Sequence, residues 1–411
     1  MRSPIPTSLL LAAVGACCAS ALAGNPQFKG GNVFFASRGN AQVCEFTSTG
    51  VFVAAHASGS TEVFDVEFGP DGLLYVPKHA DANSSARIRS FRADGALMQE
   101  IPLTGTPVGI AVGPGGRMYV AEYFEHRVDV VGASGAVESV LALGAQFPRG
   151  VAFTPRGTIA VPYEGSGVVV FFDPAGFGVD LRTVNAPKRM TLLSDGASYV
   201  SDGAGLLKFF DRFGVSIPSE DVAGPFGAPI FDAAIQPDYS PLIVLPTASS
   251  GLDMNWTSAT IPFVDVALAN PTAVAVCPYR FKATVKGTLT QLGGKSRTVS
   301  QSATLSVLPG SNRVMLAFAP NTKLGKAFLG QSFVAYGVED GGVFPDRRAI
   351  HAMQRPDASL LFATVSIDLR LIDAKNAAGE FVRVKSATGS LHASNAFATF
   401  VGSIKSGKAL N

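Results

Sequence analysis

The chain contains few of the residues on which recognisable catalytic motifs depend. Its 411 residues include one tryptophan, four cysteines and five histidines. It has no Gly-x-Ser-x-Gly, His-Glu-x-x-His or Cys-x-x-Cys motif, and no histidine stands at ligand spacing from another metal-binding residue. These absences exclude the nucleophile elbow, the zincin helix and the paired-cysteine site as sources of activity.

Long apolar runs are also missing beyond the N-terminus, where none reaches the roughly 18 residues of a membrane-spanning helix. The first 23 residues resemble an export signal: Arg2 precedes the apolar stretch SLLLAAVGACCASALAG. The small residues around Leu22 predict cleavage before Gly24. A lipidated Cys17 and a first structural helix are the two alternatives. The favoured reading predicts an exported protein, periplasmic or extracellular.

Glycine and proline are abundant, with 44 and 26 copies, and this favours many short strands joined by turns. One strand-turn-strand pattern recurs six times, in stretches such as VFDVEFGPDG, PVGIAVGPGG and PRGVAFTPRG. The turn anchors are Pro70, Pro114, Pro155, Ser194, Pro237 and Pro278. Their spacings of 44, 41, 39, 43 and 41 residues are typical of β-propeller blades with four strands each.

The repeats resemble NHL-repeat propellers and the wider six-bladed group that includes the SMP-30/gluconolactonase family, over roughly residues 28–278. We therefore expect a six-bladed propeller over residues 24–279. The first copy lacks a first strand and the last copy consists of a first strand alone. Residues 272–277 should therefore complete the blade begun by residues 31–60, which removes the exposed sheet edges.

After about residue 279 the period stops and apolar and polar residues alternate, as in FKATVKGTLTQLGGKSRTVSQSATLSVL. We expect residues 280–411 to form a smaller antiparallel β-barrel or β-sandwich. This segment has 17 Lys+Arg and 7 Asp+Glu, a net charge of +10, and residues 1–279 have 16 and 24, a net of −8. The asymmetry indicates contact with the acidic propeller or with an anionic surface, although a merely solvated basic face is the alternative.

The resemblance to the SMP-30/gluconolactonase group implies a position for a metal. In that group Glu, Asn and Asp at the beginnings of the first strands hold an ion in the central channel. The matching positions here are Phe64, Val108, Arg149, Lys188, Phe231 and Thr272. None is a carboxylate, so the sequence departs from the family where its enzymes need ligands. We expect no catalytic residue, metal or cofactor.

Other polar residues should stand around the channel mouth. Asp65, Arg189 and Asp232 each lie one residue after one of the six positions that match the metal ligands. They could form a small polar site or, as we favour, structural ion pairs. The ends of the second strands add Glu122, Tyr163 and Asp202. Candidate ligand-binding residues are therefore Asp65, Glu122, Arg149, Tyr163, Lys188, Arg189, Asp202 and Asp232.

Two cysteines remain after signal cleavage. The repeat alignment places Cys277 on the first strand and Cys44 on the third strand of one blade. First and third strands lie about 9.6 Å apart, further than the about 7 Å between Cα atoms that a disulfide allows. We predict two buried thiols rather than a bridge.

These observations favour an exported, non-enzymatic binding or scaffold protein that uses a propeller face and a basic C-terminal β domain. The partner would be a protein, a peptide or a glycan, with the C-terminal domain contacting an anionic surface. We expect neither nucleic-acid binding nor a transmembrane segment. A propeller-channel enzyme of the lactonase or lyase type is the alternative.

Overall fold

The computed structural model describes residues 28–410. Residues 58–61, 81–84, 133, 142–143, 155–156, 194–196, 212, 224–228, 236–240, 246–249, 256–257, 265–267, 309–312, 320, 329–331, 338–348, 355–363 and 378–380 are not described. The predicted export signal, with Cys17 and Gly24, lies outside the described residues and stays a prediction.

Six four-stranded antiparallel sheets, here called blades 1–6, precede an eight-stranded sheet. Blade 1 consists of β1 (Val33–Ser37), β2 (Gln42–Phe46), β3 (Phe52–Ala57) and β24 (Pro271–Val276). Blade 2 consists of β4 (Glu67–Phe68), β5 (Leu74–Lys78), β6 (Arg87–Phe91) and β7 (Leu97–Pro102). Blade 3 consists of β8 (Pro107–Val112), β9 (Met118–Glu122), β10 (Arg127–Val131) and β11 (Val137–Leu141). Blade 4 consists of β12 (Ala152–Phe153), β13 (Ile159–Tyr163), β14 (Val168–Phe172) and β15 (Gly178–Thr183). Blade 5 consists of β16 (Met190–Leu192), β17 (Ser198–Ser201), β18 (Leu206–Phe210) and β19 (Val222–Ala223). Blade 6 consists of β20 (Asp232–Ile235), β21 (Pro241–Leu245), β22 (Ser250–Asn255) and β23 (Ser258–Val264). Among the described residues, three short 3₁₀ helices lie in the connections, at Arg38–Asn40, Pro114–Gly116 and Pro218–Glu220.

The blades form a ring because each buries its apolar faces against its two neighbours. Six separate hydrophobic clusters lie between consecutive blades, and the one between blades 6 and 1 joins Leu242 and Val244 to Phe35. The ring is closed by β24, which pairs antiparallel with β1 in the register Val33↔Val276. This pairing confirms the prediction that residues 272–277 complete the blade begun by residues 31–60.

The repeated turn glycines have a conformational reason. Gly95, Gly135, Gly176 and Gly214 close the turns between third and fourth strands of blades 2–5, and each has φ between 77° and 92°. That left-handed region is strained for residues with a Cβ. The regular spacing of these glycines in the sequence therefore partly reflects the positive φ that each turn requires.

Cys44 and Cys277 are both buried thiols, as predicted. They lie on opposite faces of blade 1, since Cys44 belongs to the cluster shared with blade 6 and Cys277 to the cluster shared with blade 2. Strand β1 also separates β24 from β2. The sheet itself therefore keeps the two sulfurs apart.

The C-terminal sheet is a closed barrel, which decides between the two predicted architectures. Its strands are β25 (Tyr279–Gln291), β26 (Ser296–Leu308), β27 (Arg313–Ala317), β28 (Phe333–Gly337), β29 (Ala349–Gln354), β30 (Thr364–Lys375), β31 (Phe381–Ser394) and β32 (Ala398–Ala409). Closure comes from β25, which pairs with both β26 and β32. Inward residues such as Phe281, Leu305 and Phe400 fill one apolar core.

Helix α1 (Lys323–Ala327) is capped by the hydroxyl of Thr322, which accepts a hydrogen bond from the backbone N–H of Gly325. In the part of the chain that the structure describes, no helix is long and apolar enough to cross a membrane.

The barrel covers one end of the propeller. Arg313 on β27 forms an ion pair with Glu67 and donates through Nη2 to the carbonyl oxygen of Val112 at 2.7 Å. Met315 and Val334 of the barrel join the cluster between blades 3 and 4. These contacts involve the C-terminal ends of the first strands, so the starts of the first strands face the other way.

Candidate ligand-binding face of the propeller

The channel through the ring has two different ends. We call the end bearing the starts of the first strands the open face. It carries Phe64, Val108, Arg149, Lys188, Phe231 and Thr272. At the other end the barrel residues Leu308, Arg313 and Met315 contribute to the wall of a cavity of about 190 Å³. On the open face Phe64, Val108 and Thr272 are buried, whereas Arg149, Lys188 and Phe231 are partly exposed.

Arg189 fills the channel between the cavity and the open face. Its Nη1 donates to Oδ2 of Asp65 at 2.6 Å, and its Nη2 donates to the carbonyl oxygens of Phe64 and Val108 at 2.8 and 3.0 Å. The guanidinium thus ties the starts of blades 2, 3 and 5 together. Arg189 and Asp65 are both buried, so the structure places them in the structural ion pair that the sequence favoured.

Small residues make space for this side chain. A Cβ added to Gly150 would lie 3.1 Å from Cδ of Arg189, and one added to Gly109 would lie 2.8 Å from the carbonyl oxygen of Arg149. Both distances are shorter than ordinary van der Waals contacts. The glycines at these repeat positions let neighbouring first strands approach closely and let one long arginine cross the channel.

The two channel carboxyls are held by backbone amides. Asp65 accepts from the N–H groups of Val66 at 2.8 Å and Ile110 at 2.7 Å. Asp232 accepts from Ala233 at 2.8 Å and Val274 at 3.1 Å. Burial raises the pKa of Asp65 above its ordinary value, although Arg189 opposes this effect. Burial raises the pKa of Asp232 to about 7, so this side chain can gain or lose a proton near neutrality.

Three cations on the open face each lie over an aromatic ring. The guanidinium carbon of Arg38 lies 4.6 Å from the ring centre of Phe64, and that of Arg149 lies 4.4 Å from the ring centre of Tyr123. The ammonium of Lys188 lies 4.8 Å from the ring centre of Phe231. Arg38 also forms an ion pair with Glu62 at 2.9 Å, and the cation–π contacts hold each cation in place.

Glu164 connects two members of this group. Its Oε2 accepts from Nε of Arg149 at 2.7 Å and from the hydroxyl of Tyr123 at 2.8 Å. His79 stacks on the Phe64 ring at 4.4 Å, and burial lowers the pKa of its imidazole. The open face therefore combines fixed charge with flat apolar surface.

Two residues beside this group adopt strained backbone conformations. His126 and Phe147 both have φ of 60°, and Nδ1 of His126 accepts a hydrogen bond from the backbone N–H of Phe147 at 3.1 Å. The two rings are in edge-to-face contact, and Phe147 also contacts Tyr123 at 4.9 Å between ring centres. This contact positions the aromatic residues next to Arg149.

The predicted residues at the ends of the second strands are buried, whereas Arg149 and Lys188 are partly exposed. Glu122 is fully buried on β9, and Tyr163 lies in the cluster between blades 3 and 4. Asp202 accepts from the backbone N–H of Leu206 at 2.9 Å and so stabilises a turn. Their assignment as ligand-binding residues stays a prediction.

Glu122 is unusual because neither of its carboxylate oxygens has a hydrogen-bond partner among the described residues. Burial is the largest cause that raises its pKa to about 8, and Asp129 and Glu125 add to the shift. A Cβ on Gly105 would lie 2.3 Å from Oε2 of Glu122, so this glycine makes room for the carboxyl. A pKa of about 8 favours the protonated form of Glu122 at neutral pH.

The sequence reasoning did not select Tyr123, Phe147 and Glu164. Within the segment AEYFEHR only Glu122 was predicted to bind a ligand, and His126 is a turn residue here. The available signal was the run of two aromatic residues directly after a second strand. This pair of aromatic residues indicates a site only once the structure shows that Arg149 of the next blade lies over Tyr123.

No family model matches the chain, and no curated protein matches it. Among solved structures it is similar to a protein of unknown function from Bacteroides caccae, with 13% identity and a TM-score of 0.49, covering 60% of this chain and 98% of that chain. It is also similar to virginiamycin B lyase from Staphylococcus aureus, with 12% identity and a TM-score of 0.42, covering 84% and 94%. A streptogramin B lyase has 14% identity and a TM-score of 0.42, covering 84% and 93%. At these identities the similarities concern the fold alone.

Proposed function

We propose that this protein is an exported, non-enzymatic binding or scaffold protein whose ligand site is the open face of the propeller. One observation carries the proposal: Arg38, Arg149 and Lys188 each lie over an aromatic ring around the channel mouth. Charged groups fixed beside flat rings are suited to recognition of a polar ligand. The barrel occupies the opposite end, and Arg38, Arg149 and Lys188 are partly exposed.

The channel interior contributes stability in this proposal. Arg189 uses Nη1 and Nη2 on Asp65 and on two backbone carbonyls, so these nitrogens are already engaged. The guanidinium also separates the cavity from the open face. Binding would therefore occur across the mouth of the channel rather than inside it.

The proposal can be tested on an array of defined glycans and peptides. We expect wild-type protein to bind a subset of them, and Arg149→Met to weaken that binding. Arg92→Met is the matched control, because Arg92 pairs with Asp94 in the turn after a third strand, away from the channel mouth. Binding that is unchanged in Arg149→Met would contradict a site on the open face.

A channel enzyme of the lactonase or lyase type is the second candidate. The observation that favours it is Asp232, a carboxyl on the cavity wall whose pKa of about 7 suits proton transfer. Metal analysis of the purified protein separates the two functions. A divalent ion in 1:1 ratio that is lost in Asp232→Asn would favour the enzyme.

A further inference from the structure

Arg149 and Lys188 lie at the open face, just before the first strands of the neighbouring blades 4 and 5. A Cβ on Gly150 would lie 3.2 Å from the carbonyl oxygen of Lys188, so the two strand starts are in close contact. Burial is the largest cause that lowers the pKa of Lys188; the charge of Glu164 opposes this effect, and the charge of Arg149 adds to it. Arg149 thus adds positive charge near the Lys188 ammonium, and Glu164 offsets part of it.

The protein's own carboxylates leave part of this charge available. Glu164 contacts Arg149 through Nε, at 2.7 Å. Among the described residues Lys188 forms no ion pair, and its ammonium is held by the ring of Phe231. The ammonium and the remainder of the guanidinium therefore provide donors for a ligand carboxylate.

Aromatic rings extend from this pair toward solvent. Phe124 is 65% exposed, and its ring centre lies 5.0 Å from that of Tyr123. Phe147 contacts both of these rings, with 4.9 Å between ring centres to Tyr123 and 6.3 Å to Phe124. The three rings form an apolar cluster beside Arg149, and its exposed member Phe124 offers a face on which a pyranose ring can pack.

The backbone of the open face does not favour an extended peptide. The N–H groups of Arg149, Lys188 and Phe231 donate to the carbonyl oxygens of Pro162, Ser201 and Val244, each at 2.9 Å. A peptide that binds by strand addition needs unpaired backbone groups. Side chains must therefore make the contacts, and this favours a ligand that presents a ring and a carboxylate.

We propose that Arg149 and Lys188 bind the carboxylate of a hexuronate unit in an acidic glycan, with its sugar ring packed on Tyr123, Phe124 and Phe147. This inference rests on the proposed binding function of the open face. It names the substrate class of that same face. The carboxylate would accept hydrogen bonds from both cations, each assisted by charge.

The test is calorimetric titration of the full chain with oligogalacturonate and with its methyl ester, which keeps the ring and removes the charge. Lys188→Met keeps the apolar stem over Phe231 and deletes the ammonium. Lys208→Met is the matched control, because Lys208 lies in the same blade and pairs with Asp221 at 2.7 Å. We expect Lys188→Met to weaken oligogalacturonate binding by about 10- to 100-fold. We expect Lys208→Met to match wild type.

The remaining outcomes separate the inference from the function on which it rests. Equal binding of the acid and its methyl ester, with both lost in Phe124→Ala, would keep the open-face function and overturn the carboxylate role. Equal oligogalacturonate binding by Lys188→Met and wild type would also overturn it. If oligogalacturonate does not bind but other array ligands depend on Arg149, the hexuronate inference is wrong and the proposed function stands. If no array ligand depends on Arg149, both are wrong.

Discussion

The two ends of the propeller channel use the same residue types differently. At the barrel end and in the channel, Arg313 and Arg189 are largely buried and each joins a carboxylate to backbone carbonyl oxygens. At the open face Arg149 and Lys188 are only partly buried and lie over aromatic rings. A buried cation requires a full set of partners, whereas a partly exposed cation can keep contact with water or a ligand. The adjacent repeat residues Lys188 and Arg189 therefore differ in burial and in partners, and recognition by the partly exposed cations is our proposal.

Arg189→Met should produce the largest loss of stability. It removes the guanidinium that pairs with Asp65 and leaves that buried carboxyl without its cation. We expect the free energy of unfolding to fall by about 3–5 kcal/mol in urea denaturation. Arg92→Met, at an exposed pair, should change it by less than about 1 kcal/mol. Equal effects of the two variants would contradict a structural role for Arg189.

Arg313→Met should have the next largest effect. Glu67 would lose its cation at the contact between barrel and propeller, but it is partly exposed, so water can compensate in part. We expect a loss of about 2–3 kcal/mol by urea denaturation, less than for Arg189. The double variant with Glu67→Gln should recover part of the loss. No recovery would mean that the arginine acts through other contacts.

Glu122→Gln should increase stability, and only above a certain pH. The pKa of Glu122 rises from 4.5 to about 8 on folding. The folded state therefore holds the Glu122 proton more tightly than the unfolded state does. The loss of folding stability caused by ionising Glu122 is absent below about pH 4.5, grows between pH 4.5 and 8, and is constant above about pH 8.

Glutamine resembles the protonated form, so the variant should match wild type at pH 4. It should be about 3–5 kcal/mol more stable at pH 9. Thermal or urea unfolding at several pH values measures the difference. A constant difference from pH 4 to pH 9 would mean that the pKa shift of Glu122 is not its cause.

Lys188→Met should have the smallest effect on stability. Its ammonium forms no ion pair among the described residues, and the methionine stem can still cover Phe231. We expect less than about 1 kcal/mol by urea denaturation. A loss as large as that of Arg189→Met would place Lys188 among the structural cations and remove the contrast between the two ends of the channel.

The sequence by itself determined the architecture of the ring. The spacing of its turns and the glycines that require positive φ predicted the blades, and the unmatched strands at both ends predicted the closure by β24. It also predicted the two separate cysteines, because strand order fixes their distance. Such features depend on local turn geometry and on apolar alternation, both of which a linear pattern records.

Only the tertiary structure decided which of the predicted polar residues meet and which remain accessible. The sequence grouped Asp65, Arg189 and Asp232 but did not show that Arg189 reaches across the channel to blades 2 and 3. It did not distinguish the buried Glu122 from the partly exposed Arg149, and it did not bring Tyr123 to that arginine. Contacts between blades depend on side-chain length and on space left by residues such as Gly150, and these are properties of the closed ring rather than of any single repeat.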